Sequence, residues 1–199
     1  MALVKPASQQ SFAGYTLREL QTRFPKPLSS TRLPAQPTAA SLEYSGVFAG
    51  YVALLTTVDE FSGFRGLVES SFQKIDERVF DATQVFEYED PANNQRLLFS
   101  TSTEEFKALT IRLVTNSDEF LDRLAAKRVC VPPPWIAFEE YNPAWWGGNM
   151  QGAQGYYNDQ YFYPFFTRLS EAEKRAYFAK FDASDEWIAQ LTLMYDDED

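Results

Sequence analysis

Hydrophobic and polar positions fall into short blocks whose period switches along the chain, which predicts a mixture of strands and helices. From Leu42 to Val58 the apolar and small residues alternate around Tyr44, Gly46, Phe48, Gly50, Val52 and Leu54. Glycine is poor in helix interiors, so a long buried strand is expected there, with helix as the runner-up. After a glycine-bearing turn from Ser62 to Gly66, residues Val68, Phe72, Ile75 and Val79 recur at three and four. Glu69, Lys74, Asp76, Glu77 and Arg78 lie between them, the pattern of an amphipathic helix. Thr83 to Glu89 and Arg96 to Thr101 then read as a hairpin around a turn at Asp90 to Gln95. Lys107 to Thr115 fits either period, and its β-branched Thr110, Ile111, Val114 and Thr115 favour a third strand of a meander.

Ser117 caps an expected helix from Asp118 to Lys127 with Phe120, Leu121 and Leu124 inward. A short strand is expected from Arg128 to Val131, stopped by Pro132, Pro133 and Pro134, which lack backbone donors. Near the end, Ser170 and Glu173 form a capping box ahead of Tyr177, Phe178 and Phe181. Ser184 opens a second helix with Trp187, Ile188, Leu191 and Met194 on its apolar face. The fold class expected is therefore α+β: a single domain with helices packed on an antiparallel sheet, an irregular aromatic-rich lobe and two C-terminal helices.

Residues 1–40 are rich in Pro, Ser, Gln and Thr and read as an extended arm, interrupted by one short helix from Thr16 to Phe24 with Glu19 completing a capping box. Such an arm would wrap its own domain, reach a neighbouring subunit or stay disordered. Residues 41–195 form the domain proper, with the aromatic lobe at 129–167, and residues 196–199 are an acidic tail. The opening residues hold no apolar run of signal-peptide length, and the stretch from Val47 to Val58 is too short to cross a bilayer. A cytoplasmic location and no membrane partner are expected.

Composition sharpens the picture at one place. Twelve of the 32 aromatic residues lie between Val129 and Thr167, where there is no lysine or arginine and where glycine and amide residues are interleaved. Rings of this kind hide much apolar area while their hydroxyl and indole groups seek polar partners, so the segment is expected to be part core and part wet recognition surface. The expected partner-binding residues are Trp145, Trp146, Met150, Tyr156, Tyr157 and Tyr161, with Glu139, Glu140 and Asp159 as flanking charges.

The chain's 18 basic and 28 acidic residues give it a net charge of -10, which repels nucleic acid and attracts a basic protein partner. Absence of histidine removes the usual general base and the commonest metal ligand, and no phosphate-binding glycine loop is present, so no catalytic residue, metal or cofactor is expected. The single cysteine, Cys130, reads as a buried structural thiol.

The function expected is an acidic protein-binding module, an inhibitor or immunity-type protein that binds a cationic protein through an aromatic patch. The alternatives are an assembly or chaperone-like adaptor using the N-terminal arm, and a saccharide or small-ligand binder or carboxylate-dependent hydrolase built on Glu139, Glu140 and Asp159.

Overall fold

The computed structural model describes residues 12–26, 33–34, 37–81, 83–148 and 150–195. Six strands form one antiparallel sheet: β1 (Ala39–Ser41), β2 (Gly50–Thr56), β3 (Gln73–Phe80), β4 (Thr83–Asp90), β5 (Gln95–Ser102) and β6 (Leu109–Thr115). Their spatial order is β1-β2-β6-β5-β4-β3. The last four strands are a meander that returns to pair with β2, so the expected hairpin and third strand are present.

Three helices complete the two faces: α1 (Leu17–Arg23), α2 (Phe61–Glu69) and α3 (Asp118–Lys127). Side-chain alternation on the strands gives each face its own core. Val52, Leu54, Phe86, Tyr88, Leu97, Phe99, Ile111 and Leu113 point to one side, where Phe64 and Val68 of α2 and Phe120, Leu121 and Leu124 of α3 cover them. Val85, Leu98 and Val114 point to the other side and meet Tyr15, Leu20 and Phe24. The Thr16–Glu19 capping box fixes the start of α1, with the Thr16 backbone N–H donating to Glu19 Oε2 at 2.8 Å.

Of the fates open to the arm, its helix takes the first and packs on its own sheet. Beneath it lies Glu87, a carboxylate on β4 whose side chain is only 4% exposed. Tyr15 donates its hydroxyl to Glu87 Oε2 at 2.9 Å, while Arg23 Nε and Arg96 Nη1 donate to Oε1 at 3.1 and 2.9 Å. A buried charge with three donors is satisfied, whereas an unpaired one would be strongly destabilising. Burial, followed by the bond to Glu87, pushes the Tyr15 phenol up to about 12.

Three local expectations are corrected. The helix anticipated through Val68, Phe72, Ile75 and Val79 is instead α2, which ends at Glu69, followed by edge strand β3. The spacing arises because a helix and a strand meet end to end. Val68 belongs to the helix, Phe72 to the turn after it, and Ile75 and Val79 to β3, where they are 43% and 69% exposed. Pairing of β3 with β4, with a register shift between Lys74 and Asp76, gives its backbone partners a helix would have supplied internally.

The long strand expected from Leu42 to Val58 is shorter. Glu43–Ser45 form a 3₁₀ turn closed by Gly46, and the strand begins at Gly50. Finally, Arg128 to Val131 form no strand, for a reason that concerns the aromatic lobe. The acidic tail at 196–199, and residues 1–11, 27–32 and 35–36 of the arm, lie outside the described residues.

Because α1 supplies part of the core, Phe24→Ala should lower the unfolding free energy by about 3–5 kcal/mol in a urea titration. A change below about 1 kcal/mol would show that the N-terminal helix is dispensable to the body.

A pH effect follows from Tyr15. Its folded pKa is raised, so its contribution is complete below the ordinary tyrosine value near 10 and is lost as pH rises through about 12. The urea midpoint should fall across that window, and Tyr15→Phe should flatten the slope; an equally steep fall in the variant would remove Tyr15 as a source.

Candidate functional site

Beyond α3 the chain leaves the sheet through residues 128–133, where the carbonyls of Cys130, Val131 and Pro132 are taken by side chains rather than by a neighbouring strand. Thr56 Oγ1 donates to the Cys130 carbonyl at 3.1 Å, Tyr177 OH to Val131 O at 2.8 Å, and Tyr157 OH to Pro132 O. This satisfies the backbone without a ladder and replaces the expected strand. Cys130 is half-buried there, and burial pushes its thiol up to about 11, which makes it a poor nucleophile at neutral pH.

The aromatic segment then folds as a run of short turns, the aromatic-rich lobe that was expected. It contains α4 (Pro134–Ala137), a 3₁₀ turn (Pro143–Trp145), α5 (Gly152–Tyr157), a π-helical turn (Asn158–Phe162) and α6 (Tyr163–Phe166). The expected C-terminal helices, α7 (Glu171–Lys180) and α8 (Asp185–Tyr195), close over it. Their buried Tyr177, Phe178, Trp187 and Leu191 join Trp146, Tyr157, Tyr161, Phe162 and Phe166 in one aromatic core, to which Leu55 of β2 connects the sheet.

That core corrects the expected binding patch. Trp146, Tyr157 and Tyr161 are buried and present no surface to a partner. Their polar atoms explain how they can be: Trp146 Nε1 donates to Tyr195 OH at 3.0 Å, and Tyr195 OH donates to Asn158 Oδ1 at 2.7 Å inside the π-helical turn. Gln190 Nε2 reaches the Trp146 carbonyl at 2.6 Å. The next residue, Gly147, adopts φ 95, and a Cβ there would collide with Met194 Sδ, so glycine lets α8 close against this loop. Met150 is half-buried against the same core.

Two of the six apolar candidates remain open to solvent: Trp145 at 68% and Tyr156 at 49% exposure. A chain of ring contacts joins them through Tyr141, Phe138 and Phe106, with centroid separations of 6.4, 6.4, 5.7 and 6.3 Å from Trp145 to Tyr156. Tyr156 also meets buried Tyr161 edge to face at 5.8 Å. At its Tyr156 end this seam floors an open groove of about 590 Å³, lined by Glu104, Glu105, Phe106, Lys107, Phe138 and Tyr156 together with Ala137, Gly152 and Ala153.

Sequence reading missed Phe106. It sits in the connection between β5 and β6, where Phe106 and Lys107 adopt φ of 55 and 48, a backbone region that non-glycine residues seldom enter. That turn brings Phe106 to the aromatic lobe, against Tyr157 at 5.3 Å as well as Phe138, and brings Lys107 to Glu139, with which it forms an ion pair. The available signal was a lone phenylalanine in an otherwise polar connection between two strands.

The three flanking acids separate. Glu139 is held by Lys107, Glu140 is exposed at φ 62, and exposed Asp159 accepts from Asn158 Nδ2 at 3.1 Å. On the groove's other wall Glu105 accepts from Arg112 Nη2 at 2.5 Å and from Thr110 Oγ1 at 3.3 Å.

A recess between Leu54, Leu55, Val129, Val131 and Phe165 has a volume of about 70 Å³. That is well below the roughly 300 Å³ of the smallest usual ligand pockets, so it is a packing gap. Among the described residues no group of three or more acidic or cysteine side chains is placed to hold a metal ion, and no helix is long and apolar enough to cross a membrane. Comparison of the chain with protein-family models, curated proteins and solved structures finds no match.

Since Trp146 is a core residue, Trp146→Ala should cost about 3–5 kcal/mol of stability, whereas Trp145→Ala should change it by roughly 0.5 kcal/mol or less. Parallel thermal or urea unfolding of the two variants checks this, and equal losses would contradict the division between core and surface rings.

Proposed function

We propose that this chain is an acidic protein-binding module, of the inhibitor or immunity type, that grips a basic protein along the seam from Trp145 to Tyr156. The observation that carries the reading is the continuity of that seam beside Glu104, Glu105 and Glu139. Exposed tyrosine and tryptophan anchored on a rigid core lose little freedom on binding and are the side chains that dominate interface energies.

A net charge of -10 would draw a cationic partner in and hasten encounter, while the rings would slow release. Catalysis has less support, because Glu139 is neutralised by Lys107 and Asp159 hydrogen-bonds its neighbour Asn158 rather than facing a second carboxylate in the groove. The adaptor reading has less support as well, because α1 is committed to the sheet core.

The test is affinity capture from an extract of the native host, using wild type and the double variant Trp145→Ala, Tyr156→Ala, with a folded control by circular dichroism. A basic protein should be retained by wild type, its capture should weaken as salt rises, and the double variant should hold it more than about tenfold less tightly. Undiminished capture by the folded double variant, or a glycan rather than a protein as the ligand that the two rings bind, would overturn the proposal.

A further inference from the structure

We infer that the groove beside Tyr156 takes an arginine side chain of the partner, its guanidinium stacked on the Tyr156 ring and paired with Glu104. This rests on the groove being the partner-binding surface and specifies what enters it.

Charge accounting leads to one cation. Glu105 is paired with Arg112 and Glu139 with Lys107, so two of the carboxylates around the groove are already neutralised, as is its own lysine. Glu104 is exposed, lines the groove and has no ion-pair partner among the described residues. One uncompensated negative charge therefore stands beside a half-exposed tyrosine.

Ring geometry favours a planar cation. The Phe106 and Tyr156 rings are within 24° of parallel at 6.3 Å, so Phe106 braces Tyr156 while leaving half of it open. A guanidinium can lie flat on such a face and present its N–H edge to a carboxylate, whereas an ammonium offers neither the plane nor the fork.

The molecule already uses the same chemistry internally. The Tyr15 ring has the guanidinium carbons of Arg78 and Arg23 at 3.6 and 4.6 Å from its centroid, and Arg23 also binds Glu87. At Tyr15 the ring, arginine and glutamate come from one chain. At Tyr156 the ring and the glutamate are present and the arginine is left for a partner to supply.

The full-length chain should be titrated, with nuclear magnetic resonance detection, against N-acetyl-arginine amide and N-acetyl-lysine amide. Saturable shifts confined to Phe106, Gly152 and Tyr156 are expected, with the arginine derivative bound roughly fivefold tighter, the upper range of an exposed cation–π contact. Tyr156→Leu should abolish the preference and Tyr156→Phe should keep it, while Glu104→Gln should weaken arginine binding by about two- to fivefold.

Equal binding of the two derivatives, or an arginine response that survives Tyr156→Leu, would overturn the inference. If the groove does not respond to arginine but the captured partner is still lost on the Trp145, Tyr156 double substitution, the arginine assignment falls and the groove remains the binding surface. If neither responds, both fall.

Discussion

The architecture turns on three consecutive carbonyls. Those of Cys130, Val131 and Pro132 leave the sheet without a partner strand, and the run Pro132 to Pro134 offers no backbone donors with which to recruit one. Thr56, Tyr177 and Tyr157 supply hydroxyls instead. One donor comes from β2, one from α7 and one from α5, so a single extended segment ties the sheet to both parts of the aromatic lobe. Loss of the Tyr157 or Tyr177 hydroxyl would strand a buried acceptor, which costs more than a typical hydrogen bond contributes. The position of the groove follows from this joint, because Tyr157 is fixed by it and Tyr156 is its neighbour.

Two solutions to burying polar atoms recur through the molecule. In the lobe, the hydroxyls and indole nitrogens of rings reach main-chain carbonyls or each other, as Trp135 Nε1 does to the Phe181 carbonyl at 2.9 Å and Trp146 does to Tyr195. On the sheet face under α1, a charged group is buried and surrounded by arginines. The first arrangement lets a dozen rings crowd together without orphaned donors. The second fixes an otherwise separate N-terminal helix in one place, since Tyr15 and Arg23 both converge on Glu87 from the α1 side while Arg96 meets it from β5. Rigidity in both places benefits a binding surface, because side chains that are already ordered lose little entropy when a partner arrives.

Function, on this reading, lives where the aromatic core reaches the surface. Most rings between Trp135 and Phe166 are structural, and those most open to solvent are Trp145 and Tyr156 at the ends of the seam and Tyr163 outside it. The groove is held by the β5–β6 connection on one side and by α4 and α5 on the other, so it lies between the sheet and the lobe. Its walls carry compensated charge except at Glu104. An acidic protein with such a surface is suited to recognising a cationic one by a few aromatic anchors rather than by broad hydrophobic contact.

Much of the fold is legible in the sequence. The capping boxes at Thr16 and Ser170, the Ser117 cap and the strands from Thr83 to Thr115 depend on local hydrogen bonding and on periods of two and 3.6, which are written in neighbouring residues. So were the charge, the absence of histidine and the concentration of rings. Tertiary structure alone decided the rest. It made an edge strand of Gln73–Phe80, because β4 offers a hydrogen-bonding partner that no local pattern reveals. It also sent Trp146 inward and Trp145 outward, adjacent residues of the same type, because Tyr195 and Gln190 of a distant helix supply partners to one of them. Burial of a polar ring is settled by which donors and acceptors lie within reach in space, and that information is not contained in the order of residues around it.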